Sequence, residues 1–355
     1  MRRLKFSIIT VCYNAENHIE KTIKSVLGQD FEDFEYIIVD GKSTDKTCEI
    51  IEKYAQDLTE ARRGADAENV AATENTTAGN KTAWNTTDGN KISYISEKDD
   101  GLYDAMNKGF AMAAGDYIQF LNAGDELFAP DTLSKVAKKI DEYERKLDLR
   151  AKDVVAEKAG EDIGGGEGED GEDACRCRAK DDLQIFYGNI VYKNPDGSED
   201  VRLYGKSCGK PIYFATGDCV NHQAIFAGRK TFEVGENCCD KAGCGAEVGT
   251  GVDCGLKFPY RCDEFKICAD RDWMMRATKQ GAKWIPLNET VVKYDLAEES
   301  VSVKDKTLLR NEEKKCLKDN YPLMLPIYSA FDFCRNNKML AKMLHSVYEK
   351  LYIKK

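Results

Sequence analysis

The stretch EKDDGLYDAMNKGFAMAAGDYIQFLNAGDELF (97–128) decides the fold. An acidic loop runs into a helical segment, the helix into an apolar strand, and the strand into a second acidic turn. This order sets Asp100, Asp104, Asn107 and Asp125 near the carboxyl end of a strand, where open α/β sheets bind ligands. A carboxylate there can hold a divalent cation against a diphosphate. The same residues taken singly also serve as helix caps and turn formers, since Asp is common in both places.

Working outward, FSIITVC (6–12) and YIIVD (36–40) are β-branched apolar runs and read as buried strands. Between them Ile19, Ile23, Val26 and Leu27 recur at helical spacing. Asp45 caps a further helix carrying Ile50, Ile51 and Tyr54 on one face. ISYIS (92–96) and DYIQFL (116–121) read as strands, and 102–114 and 131–147 as helices. Strands that alternate with helices imply an α/β fold with a mostly parallel, Rossmann-like sheet flanked by helices. Further strands are expected at QIFYGNIVY (184–192), HQAIFA (222–227) and 290–294, with a helix near 270–280.

Composition divides the chain into a first half, 1–135, a second half, 136–300, and a helical basic tail, 301–355. Residues 57–91 are polar without a period and read as an inserted loop. Residues 151–182 are rich in Gly and acids and read as a second insertion, and the Cys-rich 236–262 as a third. In the tail, Leu340, Met343, Leu344, Val347 and Leu351 follow a helical step among lysines. That pattern suits a helix docked on the body or an amphipathic helix resting on a membrane.

The bulk numbers exclude some classes. A net charge of −10 argues against a dedicated nucleic-acid binder. The tail runs the other way, with 12 Lys/Arg against 6 Asp/Glu, which points to contact with an anionic surface. No apolar run reaches the roughly 18 residues that span a bilayer. MRRLKFSIITVCYN lacks a cleavage site and reads as a first strand, so a cytoplasmic protein is expected, at most at the inner face of the membrane. The sequons at Asn75, Asn80, Asn85 and Asn288 are then chance, and cysteines such as Cys12, Cys48 and Cys268 are small buried hydrophobes in a reducing compartment.

Several motifs fail. Gly41-Lys42-Ser43 resembles the end of a phosphate-binding loop, but Tyr36 stands where that motif needs Gly. No GxGxxG follows the first strand. Cys238, Cys239, Cys244, Cys254 and Cys262 lie close together without a CxxC pair, which leaves structural zinc a weak expectation. There is no GxSxG, and three histidines leave little room for a triad.

FSIITVCYNAENHIEKTIKSVLGQDFEDFEYIIVDGKSTDKT, followed by SEKDDGLYDAMNKGFAMAAGDYIQFLNAGD, resembles the family-2 glycosyltransferases with the GT-A fold. The resemblance is close over 4–56 and 92–135. It resumes more loosely at NHQAIF (221–226) and KICADRDWMMRATKQGAKWI (266–285). It implies a nucleotide-diphosphate-sugar donor, with a UDP-sugar expected, and inverting transfer. It assigns Thr10, Val11, Tyr13 and Asn14 to the nucleoside cradle, Asp40 to the base and Ser43 to the turn beyond. Asp100, Asp104 and Asn107 correspond to the segment over ribose and phosphates. Asp125 corresponds to the last acid of a DxD-like metal motif, here Asn122-Ala123-Gly124-Asp125, in which the first acid is replaced. His222 lies near metal and phosphates as a second ligand, a phosphate donor or a structural histidine.

Asp270 corresponds to the catalytic base and Asp272 to a second acid, although both also suit the first turn of a helix. A base that takes the acceptor-hydroxyl proton, and Mg2+ or Mn2+ on the leaving diphosphate, are what such transfer requires. Trp273 either stacks on a sugar or packs in the core. The expected activity is transfer to a glycan or lipid-linked acceptor in surface polysaccharide synthesis, with peripheral membrane contact. The alternatives are a sugar nucleotidyltransferase and a non-catalytic nucleotide-sugar-binding scaffold.

Overall fold

The computed structural model describes residues 4–63, 81–85, 91–161, 183–233, 259–296, 305–335 and 340. Its first strand β1 (Phe6–Cys12) pairs in parallel with β2 (Phe34–Asp40), and every residue of both is buried. Strands covered on both faces need apolar residues at every position, which is why both read as continuous runs. Helix α1 (Ile19–Leu27) makes the crossover and buries Ile19, Thr22, Ile23 and Val26 on one face. Helix α2 (Thr47–Arg63) follows β2. Strand β3 (Lys81–Asn85) then pairs antiparallel with β4 (Lys91–Ser96), and β4 pairs parallel with β2.

Helix α3 (Leu102–Met112) crosses directly over β1. Gly109 permits this approach, because a Cβ there would collide with Ile9 Cγ2. The chain then enters β5 (Tyr117–Phe120) on the other side of β1. Two crossovers thus leave β1 in opposite directions across the sheet, and the crevice between them opens at the carboxyl ends of β1 and β5. The turn from α3 into β5 rests on Glu35, which is 4% exposed and accepts from Ser7 Oγ at 2.6 Å, Gly115 N at 3.1 Å and Ala114 N.

After β6 (Glu126–Leu127) comes the long helix α4 (Thr132–Glu161), then β7 (Gln184–Lys193) and its antiparallel neighbour β8 (Glu199–Arg202). Short helix α5 (Pro211–Ala215) and a 3-10 turn at His222–Ala224 lead into β9 (Ile225–Gly228) and short helix α6 (Lys230–Glu233). Helix α7 (Ala269–Lys279), strand β10 (Lys283–Asp295), helix α8 (Lys306–Asn320) and helix α9 (Leu325–Arg335) complete the described chain.

Among the described residues one ten-stranded sheet runs β3-β4-β2-β1-β5-β9-β7-β10-β6, with β8 on β7. Both halves of the chain therefore share one sheet. Strand β9 is antiparallel to both β5 and β7, so β7 and β10 point the same way as β1. The carboxyl ends of β1, β2, β4, β5, β7 and β10 lie along one edge, and the start of β9 lies there too.

Several sequence expectations change. The polar stretch 57–91 is not wholly an inserted loop, since α2 continues to Arg63 and β3 adds an edge strand. Likewise α4 continues to Glu161, through the first eleven residues of the second expected insertion. The segment 222–227 is divided between a 3-10 turn and a strand, and the strand expected at 290–294 starts at Lys283. Of the five clustered cysteines only Cys262 is described, as a free thiol. The apolar repeat of the tail, apart from Leu340, lies outside the described residues.

Candidate active site

At the ends of β1 and β2 the chain makes two interlocked turns. Asn14 adopts φ +48° and its Oδ1 accepts from Thr44 N at 2.9 Å, while Asn14 N donates to Ser43 Oγ at 2.8 Å. Asp45 accepts from Glu16 N at 3.1 Å and from Thr47 N and Oγ1 at 3.0 and 2.6 Å. These bonds leave Tyr13 projecting from the β1 turn, 63% exposed. Val11 and Thr10 lie behind it in the core, and Thr10 Oγ1 accepts from Tyr36 OH.

Asp40, expected to meet the base, is fully buried and committed to the turn. It accepts from Ser43 N at 2.9 Å, Ser96 Oγ at 2.7 Å, Cys48 Sγ at 3.3 Å and Ser43 Oγ. In this state its carboxylate shapes the floor of the crevice and presents nothing to a ligand. Asp99, which the sequence reading passed over, lies directly above. A Cβ on Gly41 would sit 2.5 Å from Asp99 Oδ2, so glycine is what lets the carboxylate close over the β2 turn. Burial raises the Asp99 carboxyl above its ordinary value.

The α3 segment divides its tasks. Asp104 Oδ2 accepts from Asp100 N at 3.1 Å and pairs with Lys108 at 3.2 Å, and Asp100 is exposed. Asn107 is 1% exposed and clamps Tyr260 by both backbone groups, donating to its carbonyl at 2.8 Å and accepting from its N–H at 3.0 Å. Its amide therefore joins α3 to the 259–262 segment and does not face the ribose and phosphates.

Tyr103, also on α3, reaches the second half. Its hydroxyl lies 2.9 Å from Asp270 Oδ1 and 2.5 Å from the Ile267 carbonyl. Asp270 stands in the first turn of α7, where Arg271 N donates to its Oδ1 at 2.8 Å. Its Oδ2 meets His222 Nδ1 at 3.0 Å. Burial pushes the Asp270 carboxyl up, but the bonds from His222, Tyr103 and Arg271 outweigh it and hold the group below its ordinary value. Tyr103 has one hydroxyl proton to divide between Asp270 and the Ile267 carbonyl, and with His222 and Arg271 N–H also directed at it Asp270 is held as a carboxylate.

Asp272 does not share this arrangement. It is fully buried between Arg261, whose Nε donates at 2.9 Å, and Arg276, whose Nε donates at 2.8 Å, with Asn320 Nδ2 at 3.0 Å. Such a carboxylate is an anchor for α7 and α8, with no lone pair for a substrate. Trp273 is 1% exposed, stacks on Phe232 at 4.4 Å and donates to the Thr231 carbonyl, so it belongs to the core and not to a sugar face.

The α7 start is itself held from the C-terminal side. Glu312 on α8 accepts from Lys266 N, Ile267 N and Cys268 N at 2.9, 2.8 and 2.9 Å. Arg271 is 3% exposed and pairs with Glu313 at 2.9 Å. Nothing in the sequence spacing pointed to Glu312, which lies more than forty residues from the loop it holds.

Residues 7–153 match the family model described as Glycosyl transferase family 2. Over this segment, less than half of the chain, the protein is similar to the family-2 glycosyltransferases. The segment contains β1 to β6 and the turns that follow β1, β2 and β5. A PGL/p-HBAD biosynthesis glycosyltransferase of Mycobacterium bovis is 32% identical over 150 residues, covering 42% of this chain and 46% of that protein. The poly(ribitol-phosphate) beta-N-acetylglucosaminyltransferase TarS of Staphylococcus aureus is 28% identical over 142 residues, covering 39% of this chain and 19% of that one. The chain thus spans about half or less of these curated relatives. The crystal structure of S. aureus TarS 1-349 superposes with TM-score 0.52 at 15% identity over 94% of this chain and 74% of that one. The same fragment in complex with UDP-GlcNAc gives 0.51 at 15% identity, with the same coverage. The shared architecture is the GT-A fold.

Strand β5 runs into the turn Asn122–Asp125. Asp125 is 5% exposed, with Oδ2 accepting from Gln223 Nε2 at 3.1 Å and Oδ1 from Asp295 N at 3.3 Å. Burial raises its carboxyl to about 8, against the bonds from Asp295 N–H and Gln223 and the nearby Lys21. Among the described residues no three His, Cys, Asp or Glu side chains are grouped to hold a metal. Amide oxygens supply what the carboxylates do not. Gln223 Oε1 and Asn122 Oδ1 are buried without a hydrogen-bond partner, while their nitrogens reach Asp125 and His222. Hard divalent cations take oxygen ligands, and Asp125, Asn122 and Gln223 are the oxygen-bearing side chains at this turn that could supply them. His222 does not fit as a ligand. Its Nδ1 faces Asp270 and its Nε2 faces Asn122 Nδ2 at 3.2 Å.

Proposed function

We propose that this chain transfers a sugar, with inversion, from a nucleotide-diphosphate sugar to a hydroxyl of a glycan or lipid-linked acceptor. The observation that carries the proposal is the convergence of Asp270, His222 and Tyr103 on the same sheet edge as the Tyr13 and Asn122–Asp125 turns. One half of the site would hold the donor, and the other carries an ionised carboxylate that can take a proton.

Tyr13 and the backbone of Asn14 and Ser43 would cradle the nucleoside, with Asp40 and Asp45 holding the turns in shape. Asp100 at the entry to α3 would face ribose or phosphate. Asp125, with Asn122 and Gln223, would hold Mg2+ or Mn2+, which supplies neutralising charge for the departing diphosphate. Asp270 would accept the acceptor-hydroxyl proton as the oxygen attacks the anomeric carbon. His222 and Tyr103 fix the carboxylate's direction, and their hydrogen bonds keep it charged. A UDP-sugar is the proposed donor, since the S. aureus TarS fragment of the same fold was solved with UDP-GlcNAc. The naming of the relatives for PGL/p-HBAD biosynthesis and for N-acetylglucosaminyl transfer to poly(ribitol-phosphate) supports a glycan or lipid-linked acceptor. Among the described residues no helix is long and apolar enough to cross a membrane, and contact with a membrane surface is part of the proposal.

The test is release of nucleoside diphosphate from a panel of UDP-, GDP- and dTDP-sugars, with Mn2+ or with chelator, for the native chain and Asp270→Asn. General-base removal is expected to lower kcat by about 100- to 10,000-fold with donor KM unchanged. Because its hydrogen bonds hold Asp270 below its ordinary value, the acidic limb of kcat lies lower than for an unperturbed carboxylate. Full activity in Asp270→Asn would remove Asp270 from the chemistry. Donor binding without turnover, with acceptor extracts added, would favour a non-catalytic binder.

A further inference from the structure

The donor edge does not end at β5. Strands β7 and β10 are parallel neighbours that finish on that same edge, and each delivers a tyrosine there. Tyr192 and Tyr294 are directly paired in register, one residue before the ends of their strands. Their rings meet edge-to-face at 5.5 Å and 66°. Both are only partly buried, unlike Tyr36 and Tyr187, which are 1% exposed in the core.

This pair is tied to the reactive centre from both sides. Tyr192 OH donates to Asn221 Oδ1 at 3.2 Å, and Asn221 immediately precedes His222, the partner of Asp270. Asp295, next to Tyr294, donates its backbone N–H to Asp125. Tyr204 OH donates to the same Asn221 oxygen at 2.7 Å, and the Arg202 guanidinium lies over the Tyr204 ring at 5.2 Å while pairing with Asp218. Beside them Val201 and Leu203 are 59% and 60% exposed.

A pyranose ring has one face of C–H bonds and a rim of hydroxyls. It is recognised by an aromatic face flanked by planar polar side chains. Tyr192 and Tyr294 offer the first, and Arg202 with Asp218 the second. Resting on the transferase reading above, we infer that Tyr192 and Tyr294 form the acceptor subsite and that its occupant is a saccharide ring. The acceptor is therefore recognised by its sugar residue, beside the base, and a lipid phosphate alone does not satisfy the subsite. Trp273, for which the sequence left both sugar stacking and core packing open, is enclosed in the core and cannot perform this task.

The test is saturation-transfer NMR on the full chain with UDP present. The probes are the methyl glycosides of glucose, galactose, mannose, rhamnose, N-acetylglucosamine and N-acetylgalactosamine. At least one glycoside is expected to bind the native chain. Binding should weaken about tenfold or more in Tyr294→Leu and Tyr192→Leu, which keep bulk and lose the aromatic face, and should be retained in Tyr294→Phe and Tyr192→Phe. Thermal unfolding of each variant checks that it folds. The inference is overturned if no glycoside binds the native chain, or if the Leu variants bind as well as the Phe variants. Binding of inorganic phosphate in competition with the glycoside, with no effect of the Leu substitutions, would also overturn it. The UDP signal in the same samples reports the donor site separately. Loss of UDP binding with glycoside binding intact would therefore count against the transferase reading and leave the saccharide subsite standing.

Discussion

Replacing Asp125 by Asn should make the protein more stable above neutrality while impairing turnover. In the folded chain the Asp125 carboxyl is raised from an ordinary 3.8 to about 8, chiefly by burial. Between those two values the folded state holds a proton that the unfolded chain releases. Stability therefore falls as pH rises through this window, by about 1.4 kcal/mol per pH unit. At pH 7 the accumulated loss is about 4 kcal/mol. Asn cannot ionise, so it escapes this cost. It can still accept from Gln223 Nε2, but its own amide hydrogens then face Asp295 N–H, a penalty of about 1 kcal/mol that does not change with pH. The assay is urea unfolding of native chain and Asp125→Asn in chelator, at intervals from about pH 5 to about pH 8.5. The difference in stability should shift steadily toward the variant as pH rises. Lys21 and Asp295, the charged pair beside Asp125, remain in both proteins and cancel. A difference that stays flat across the range would refute the reasoning, because Asp125 would then be ionised in the folded state without cost. Added Mn2+ should reduce the slope of the native chain alone if Asp125 helps to hold it.

Two other substitutions separate scaffold from site. Trp273→Ala should cost about 3–5 kcal/mol in urea unfolding, since it removes a fully enclosed ring stacked on Phe232; a loss confined to acceptor KM would restore Trp273 to a sugar-binding role. Glu312→Gln should cost about 2–3 kcal/mol, because one amide oxygen cannot serve three backbone N–H groups. It should also lower kcat more than it raises donor KM, because the loop that it holds carries Ile267 and leads into Asp270. An unchanged kcat would mean that the loop keeps its place without Glu312.

The parallel strands were legible because each is buried on both faces and so reads as an unbroken apolar run, as in FSIITVC. Two helices were read too short for a compositional reason. The segments DLTEARR (57–63) and AKDVVAEKAGE (151–161) look like the polar insertions that follow them, yet Ala, Glu, Lys and Arg are good helix formers and the second segment has no Gly before 160. Strand β3 was hidden in the same way, since an edge strand needs no apolar face on its open side. Single residues were located better than they were assigned. Asp40, Asn107, Asp272 and His222 were all singled out, but their roles depend on Ser96, Tyr260, Arg261 and Asp270, partners that spacing along the chain does not reveal.

These partners follow one rule. Where the site needs shape, a carboxylate or amide is buried and its lone pairs are filled, as at Asp40, Asn107 and Asp272. Where it needs chemistry, something is left over. Asn122 and Gln223 keep an unpaired oxygen each, and Tyr13 keeps most of its surface. A buried polar atom without a partner costs about 1–3 kcal/mol, so a fold selected for stability alone would have filled these positions. Asn122, Gln223 and Tyr13 lie along a single edge of the sheet, at the turns that follow β5 and β1 and at the turn that enters β9.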